Sequence, residues 1–205
     1  MKQHGVGRPA VREALLSLSR MGLVLIQHGK RPVALQPTLA SIATQLADLA
    51  DLLVAASPKM LDQLMEARQH FEILVVRLAS RRPSRSDINK LRLAAEAYRA
   101  TDPATRFRTD AEFHRLIAAM VGNVFFQEMS QVIFALLQRY YIARFRSERE
   151  TRAVHEDHLH ILECIAARDA DGAAEAMVRH LRRASTRYGH GADRRRAERR
   201  RTRSE

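Results

Sequence analysis

Residues 6–33 read VGRPAVREALLSLSRMGLVLIQHGKRPV, and the period of their apolar positions changes part-way along. From Gly7 to Arg20, Val11, Ala14, Leu15 and Leu18 recur at helical spacing, and Gly22 stops the run. Leu23–Ile26 and Val33–Leu35 are then short β-type runs separated by QHGKRP, where Gly29 permits a tight turn and Lys30 and Arg31 crown it. The stretch therefore predicts one helix followed by a basic-tipped hairpin. Arg8 and Arg12 are four apart and share a face opposite the Val11, Leu15, Leu18 stripe. An arginine fork reads guanine O6 and N7 in a major groove, and a glycine-flanked hairpin fits a minor groove, so the layout is that of a recognition helix plus wing. On charge alone, a solvated basic helix face is the competing reading.

Beyond Pro37 and Thr38 no strand pattern remains. Helices are expected at 39–55, 58–81 (Ser57 as N-cap, Pro58 at N1), 86–100, 103–121 (Asp102 cap, Pro103 at N1, Gly122 stop), 124–146, 149–167 and 170–188 behind Asp169. Connections of a few residues imply antiparallel neighbours, hence a mostly α protein in which an antiparallel all-α bundle of six to seven helices follows the helix and hairpin. The expected organisation is a DNA-binding segment at 1–37, a linker helix at 38–57, the bundle at 58–188, and a disordered Arg-rich tail at 189–205 containing RRRAERRRTR.

Charge follows the same division. The chain has 205 residues and a formal net charge of +12. Both ends are strongly basic and the middle is nearly neutral, so the ends suit a polyanion. The single Cys excludes an intramolecular disulfide and any Cys-rich zinc cluster, which points to a reducing compartment. No apolar run approaches the roughly 20 residues of a membrane helix, and residues 1–10 carry no signal-peptide core, so the expected location is the cytoplasm, with no membrane partner.

Four histidine and aspartate positions stand out in the bundle. Asp110 and His114 are four apart in RTDAEFHRLI and project from one helix face. His158 shares a stripe with Ile161, Leu162 and Ile165, and His180 follows Ala173, Ala176 and Met177 on another. Three helices can thus bring three imidazoles and a carboxylate to one interior point, a donor set for a borderline divalent ion with positions left for water or ligand. An inward histidine that is simply hydrogen-bonded in the core is the alternative. His155, the reserve ligand, His160 and His70 are expected at the surface or behind the ligands, and Cys164 as a small buried hydrophobe. The helix at 124–146, with Phe125, Phe126, Ile133, Phe134, Leu137 and Tyr141, is more apolar than one internal face needs, which suggests a subunit interface.

The strings GRPAVREAL and MGLVLIQHGK resemble the latter half of the winged helix-turn-helix of the GntR superfamily of bacterial transcription regulators. That resemblance implies that Gly7, Arg8, Pro9 and Arg12 face DNA and that His28, Gly29 and Lys30 form the wing tip. It also implies a truncated domain, because the family's begins with one full helix and most of a second before the position of Met1.

Residues 61–183, through LDQLMEARQHFEILVVRLAS, RTDAEFHRLIAAMVGN and HLHILECIAARDADGAAEAMVRHL, resemble the helical FCD effector domain of the FadR-type subfamily. Asp110, His114, His158 and His180 match the metal pattern of that family position by position, with zinc expected and nickel or manganese as alternatives. Arg68 matches an arginine that faces a bound acid in the family, and a guanidinium fork suits a carboxylate. An ion pair with Glu72 is the other reading of Arg68. Asn123 is similarly open between donating to the effector and capping a helix.

The implied protein is a homodimeric, metal-dependent repressor of double-stranded operator DNA answering to a small organic acid. The N-terminal block and the RTDAEFHR block are most similar to the sialic-acid-responsive members. The competing class is a metal-dependent hydrolase of an all-α bundle. Against it, the chain has no His-Asp doublet, no H-E-x-x-H, and no carboxylate left over as a general base.

Overall fold

The computed structural model describes residues 7–36, 38–140 and 148–185. The elements run α1 (Arg8–Arg20), β1 (Val24–Leu25), β2 (Val33–Ala34), α2 (Leu39–Ala56), α3 (Pro58–Ala79), α4 (Arg85–Ala100), α5 (Arg106–Met120), α6 (Val124–Tyr140), α7 (Glu148–Ala166) and α8 (Ala170–Ser185). They fall into two compact units, Met1–Gln45 and Leu46–Glu205. Among the described residues no helix is long and apolar enough to cross a membrane.

In the first unit Pro9 occupies the first turn of α1, where its missing N–H costs nothing, and Gly7 is the extended N-cap. The helix ends through Gly22, whose φ of +71° is left-handed and favours glycine; a Cβ there would also meet the end of the Gln45 side chain at 2.7 Å, which would have to shift. The hairpin pairs Val24 with Ala34 and Leu25 with Val33, antiparallel, and Gly29 at φ +73° turns it. The strands are two residues each, shorter than the runs expected from the sequence. The expected apolar stripe of α1 is also only partly covered: Val11 and Leu15 are half-buried, whereas Ala14 and Leu18 are exposed. Pro37, expected as the break after the hairpin, lies outside the described residues.

In the second unit α3, α5, α7 and α8 surround the main core, with α4 against α5 and α7 and α6 against α5. Val75, Val76, Leu91, Phe113, Ile117, Ile161, Leu162, Ile165 and Met177 are fully buried in it. Burying each such side chain is worth roughly 1.5–3 kcal/mol, which fixes the helix faces and so the direction of the polar groups between them. A second cluster joins Val54, Leu61, Phe107, Ile133, Phe134, Leu137 and Tyr140.

Local signals set the helix ends. Ser84 and Asp87 form a reciprocal capping box at the start of α4. Asp169 caps α8 by accepting from the Gly172 N–H at 2.9 Å. One expectation is corrected: α5 begins at Arg106, not at Pro103. The Asp102 carboxylate accepts from the N–H groups of Ala104 and Thr105 and from the Thr105 hydroxyl, which holds residues 103–105 as a turn ahead of the helix. The end of the 124–146 prediction with Tyr141, the last residues of 170–188, and the Arg-rich tail lie outside the described residues.

Candidate functional site

Asp110 and His114 project from α5, His158 from α7 and His180 from α8, and one ligand atom from each lies within 4.8 Å of the others. All four side chains are buried, three of them completely. Four polar groups at the centre of an apolar core are costly unless something satisfies them.

Protein groups satisfy only part of the set. His114 Nδ1 lies 2.8 Å from Glu72 Oε2. The Glu72 carboxyl is held below its ordinary value: burial opposes ionisation, but His114 and Arg68 outweigh it. A carboxylate only accepts, so Nδ1 is the donor in that pair and Nε2 is the ring nitrogen that faces inward. That Nε2 lies 3.1 Å from His180 Nε2. His158 Nε2 and Asp110 Oδ1 are 3.3 Å apart, yet neither has a hydrogen-bond partner; both are aimed into the cluster rather than along one bond. His158 Nδ1 and His180 Nδ1 also lack one, the latter 3.8 Å from Asp157 Oδ2.

The charges suit a cation. Burial pushes His158 below its ordinary value and His180 down to about 3, so both rings are neutral at physiological pH and offer lone pairs. Burial would raise the Asp110 carboxyl, but the adjacent His158, His114 and His180 hold it well below the usual range. Neutral imidazoles, an ionised carboxylate and orphaned buried donor atoms fit a divalent ion. Phe113 stacks on His158 at 4.0 Å between centroids and Tyr98 meets it edge-on at 5.1 Å, so aromatic rings fix that imidazole.

Arg68 is fully buried on α3. Its Nε donates to Glu72 Oε1 at 3.2 Å, and its guanidinium lies 4.6 Å from the centroid of Phe134. It also lines a cavity of about 260 Å³ between α3 and α8, with Gln69 and Arg182. Asn123 is exposed between α5 and α6; its Oδ1 accepts from the Phe125 N–H at 3.0 Å, which starts α6. His155 is buried rather than at the surface: its Nδ1 donates to the Ala95 carbonyl at 3.0 Å, and its Nε2 faces Glu96 at 3.7 Å. His160 and His70 are exposed, and Cys164 is buried, where burial pushes its thiol up.

Two carboxylates behind the ligands were not singled out from the sequence as parts of the cluster. Glu72 was weighed only as a partner of Arg68, and Asp157 not at all. Asp157 faces His180 and accepts from Arg183 at 2.9 Å. The signal for Glu72 was its place four residues after Arg68 on an apolar stripe, and for Asp157 its place directly before His158.

In the first unit Gly7, Arg8, Pro9 and Arg12 are exposed at the start of α1, and His28, Gly29 and Lys30 are exposed at the hairpin turn.

The FCD domain family matches residues 63–183. The chain is 31% identical over 181 residues to the HTH-type transcriptional repressor NanR of Cronobacter sakazakii, covering 86% of this chain and 69% of that protein. Against NanR of Citrobacter rodentium the identity is 35% over 184 residues, with the same coverages. Among solved structures, Streptococcus agalactiae GntR superposes with a TM-score of 0.62 at 20% identity, covering 89% of this chain and 83% of that one. E. coli McbR/YncC follows at 0.58 and 16%, covering 85% and 81%. These two show the shared fold, a winged helix-turn-helix with an all-α domain. The relatives are repressors, not enzymes, which removes the hydrolase reading. Gene regulation through DNA is thus the activity of this lineage, and the chain belongs to the GntR superfamily of transcriptional regulators, in the FadR-type subfamily with an FCD effector domain.

Proposed function

We propose that the chain is a homodimeric cytoplasmic repressor whose grip on operator DNA is set by a small organic acid bound beside a divalent metal ion. Residues 1–37 belong to the DNA-binding domain and 58–188 to the effector domain. Asp110, His114, His158 and His180 hold the metal, with zinc favoured and nickel or manganese compatible with the same donors. The observation that carries this reading is the set of buried donor atoms left without partners, Asp110 Oδ1 and both His158 nitrogens. When bound, the ion supplies a positive centre with positions open to a carboxylate.

Arg68 grips the acid from α3, and its bond to Glu72 ties that grip to the ring orientation of His114. The effector class is a sugar acid or a short carboxylate. Arg8 and Arg12 enter the major groove, with Gly7 and Pro9 bringing the backbone close; His28, Gly29 and Lys30 form the wing. Dimerisation is supported by apolar surface left uncovered. Ile133, Phe134 and Leu137 of α6 are spent on the chain's own core, but Val124, Phe125 and Met129 at its start are exposed, as are Ile42, Leu46, Leu49, Leu52 and Leu53 along α2. A two-fold axis matches a palindromic operator.

The test is a thermal-shift screen of sugar acids and short carboxylates with metal and after chelation. An acid that raises Tm only with metal present supports the reading. Acids that stabilise the chelated protein equally would remove the metal from effector binding.

A further inference from the structure

We propose that Glu72 is the positioning residue of the metal cluster: held by Arg68, its carboxylate turns His114 so that Nε2 and its lone pair face the ion. This role for Glu72 rests on the reading that Asp110, His114, His158 and His180 hold a divalent metal. His114 differs from the other two rings. Its Nδ1 lies 2.8 Å from Glu72 Oε2, whereas neither nitrogen of His158 nor Nδ1 of His180 has a hydrogen-bond partner among the described residues. Phe113 and Phe134 stand 5.8 and 5.2 Å from the His114 ring, centroid to centroid, and restrict its tilt. An apolar ring does not distinguish a nitrogen edge from a carbon edge, and a carboxylate oxygen does. With Nδ1 turned to Glu72, Nε2 is left 3.1 Å from His180 Nε2 inside the cluster.

Both oxygens of Glu72 are committed. The residue lies one turn after Arg68 on α3, both side chains are buried, and Arg68 Nε donates to Oε1 at 3.2 Å. A guanidinium has donors only, so Oε1 accepts, and an ionised carboxylate accepts on Oε2 as well. Glutamine has the same shape with one oxygen and one NH2 group. Its oxygen toward Arg68 sets NH2 against Nδ1, which must then accept and leave the ring proton on Nε2, the nitrogen a metal needs bare. Its oxygen toward His114 sets NH2 against the Nε–H of Arg68, donor to donor. Only a carboxylate serves both neighbours, so Arg68 acts on a metal ligand of α5 through Glu72.

The experiment measures zinc affinity of the full chain by competition with a chromogenic chelator, together with the histidine nitrogen NMR spectrum of the zinc-loaded wild type. Glu72→Gln should bind zinc roughly tenfold or more weakly than the wild type, the range for a partner behind a ligand. Combining it with Arg68→Ala frees the glutamine oxygen for Nδ1. That double variant should bind zinc about fivefold or more tightly than Arg68→Ala combined with Glu72→Met, which has the same charge but no acceptor. Equal affinities of the two double variants overturn the proposal, because charge or packing then accounts for Glu72, and so does wild-type affinity in Glu72→Gln. The spectrum should show the proton of His114 on Nδ1 and zinc on Nε2; the reverse also overturns the proposal, and it needs no variant to fold. Zinc uptake by the wild type with an unaffected Glu72→Gln removes Glu72 alone and leaves the metal reading standing. A wild type that takes up no zinc overturns both.

Discussion

The two units handle their polar residues in opposite ways. At the start of α1 and the tip of the hairpin, Arg8, Arg12, His28 and Lys30 are exposed, and each is in contact with solvent rather than with the fold. In the helical unit, Asp110, His114, His158 and His180 are buried where water cannot reach, and Glu72, Arg68 and Asp157 stand behind them. An exposed cation costs the fold almost nothing and is free to meet phosphate or base edges. A buried polar cluster is expensive and must be offset by what it binds. The first is a surface that waits for a partner; the second is an interior whose polar atoms are not all answered by protein.

The largest effect that would break this contrast is on the metal. Replacing His158 and His180 together with Ala should lower zinc affinity by well over a hundredfold, because a single altered partner behind a ligand already costs 10–100-fold. Full metal content of the double variant, measured by atomic emission, would show that the cluster is only a hydrogen-bonded core.

The exposed side of the comparison is sharpened by Arg8→Ala and Arg12→Ala. Each should cost about 1–3 kcal/mol of operator binding by fluorescence anisotropy, with lost discrimination if the contact is to a base and a smaller salt slope if it is to phosphate. The helical unit should keep its melting behaviour in both variants.

A third outcome concerns pH. His180 takes its proton at about 3 in the fold against an ordinary value of 6.5, and His158 is also lowered, so between those limits the unfolded chain binds protons that the native one does not. Stability present above pH 6.5 is therefore lost as pH falls, by up to about 1.4 kcal/mol per unit for His180, with His158 adding in the same direction. The lowered Asp110 and Glu72 extend the loss below the ordinary carboxylate range. Tm of the chelated protein should decline steadily below about pH 6.5, and His180→Asn should flatten that decline. A Tm constant from pH 7 to 5 would mean that the buried rings take up protons as readily as they do in the unfolded chain.

The contrast also explains what could be read before the fold was seen. Helix faces are legible because Ile161, Leu162 and Ile165 on α7 and Ala173, Ala176 and Met177 on α8 recur at helical spacing, and the convergence of His158 and His180 with Asp110 and His114 follows from those faces. The start of α5 was misplaced because Asp-Pro resembles a cap and first residue, whereas Asp102 spends its carboxylate on a turn. The sequence leaves His155 open between the surface, a place behind the ligands and a reserve ligand, because its partner is the Ala95 carbonyl, 60 positions away, and periodicity carries no trace of a contact to another helix's backbone. Asp157 was missed for the same reason: its partners, His180 and Arg183, lie on α8.

The smallest expected effect lies at the turn between α7 and α8. Arg168 has φ of +59°, a left-handed conformation that glycine adopts without cost. Arg168→Gly should raise stability by up to about 1 kcal/mol in urea unfolding, with metal affinity unchanged. A loss of stability would show that the arginine side chain holds the turn.

The measurement that tests the central claim most directly is a titration of operator affinity against candidate sugar acids and short carboxylates for three proteins: the metal-loaded wild type, the chelated wild type, and metal-loaded Arg68→Ala. The account predicts that an acid shifts operator affinity in the loaded protein, has no effect after chelation, and needs a higher concentration in Arg68→Ala, which retains its metal. An acid that shifts operator affinity equally in all three would place the effector elsewhere and leave the metal a structural role.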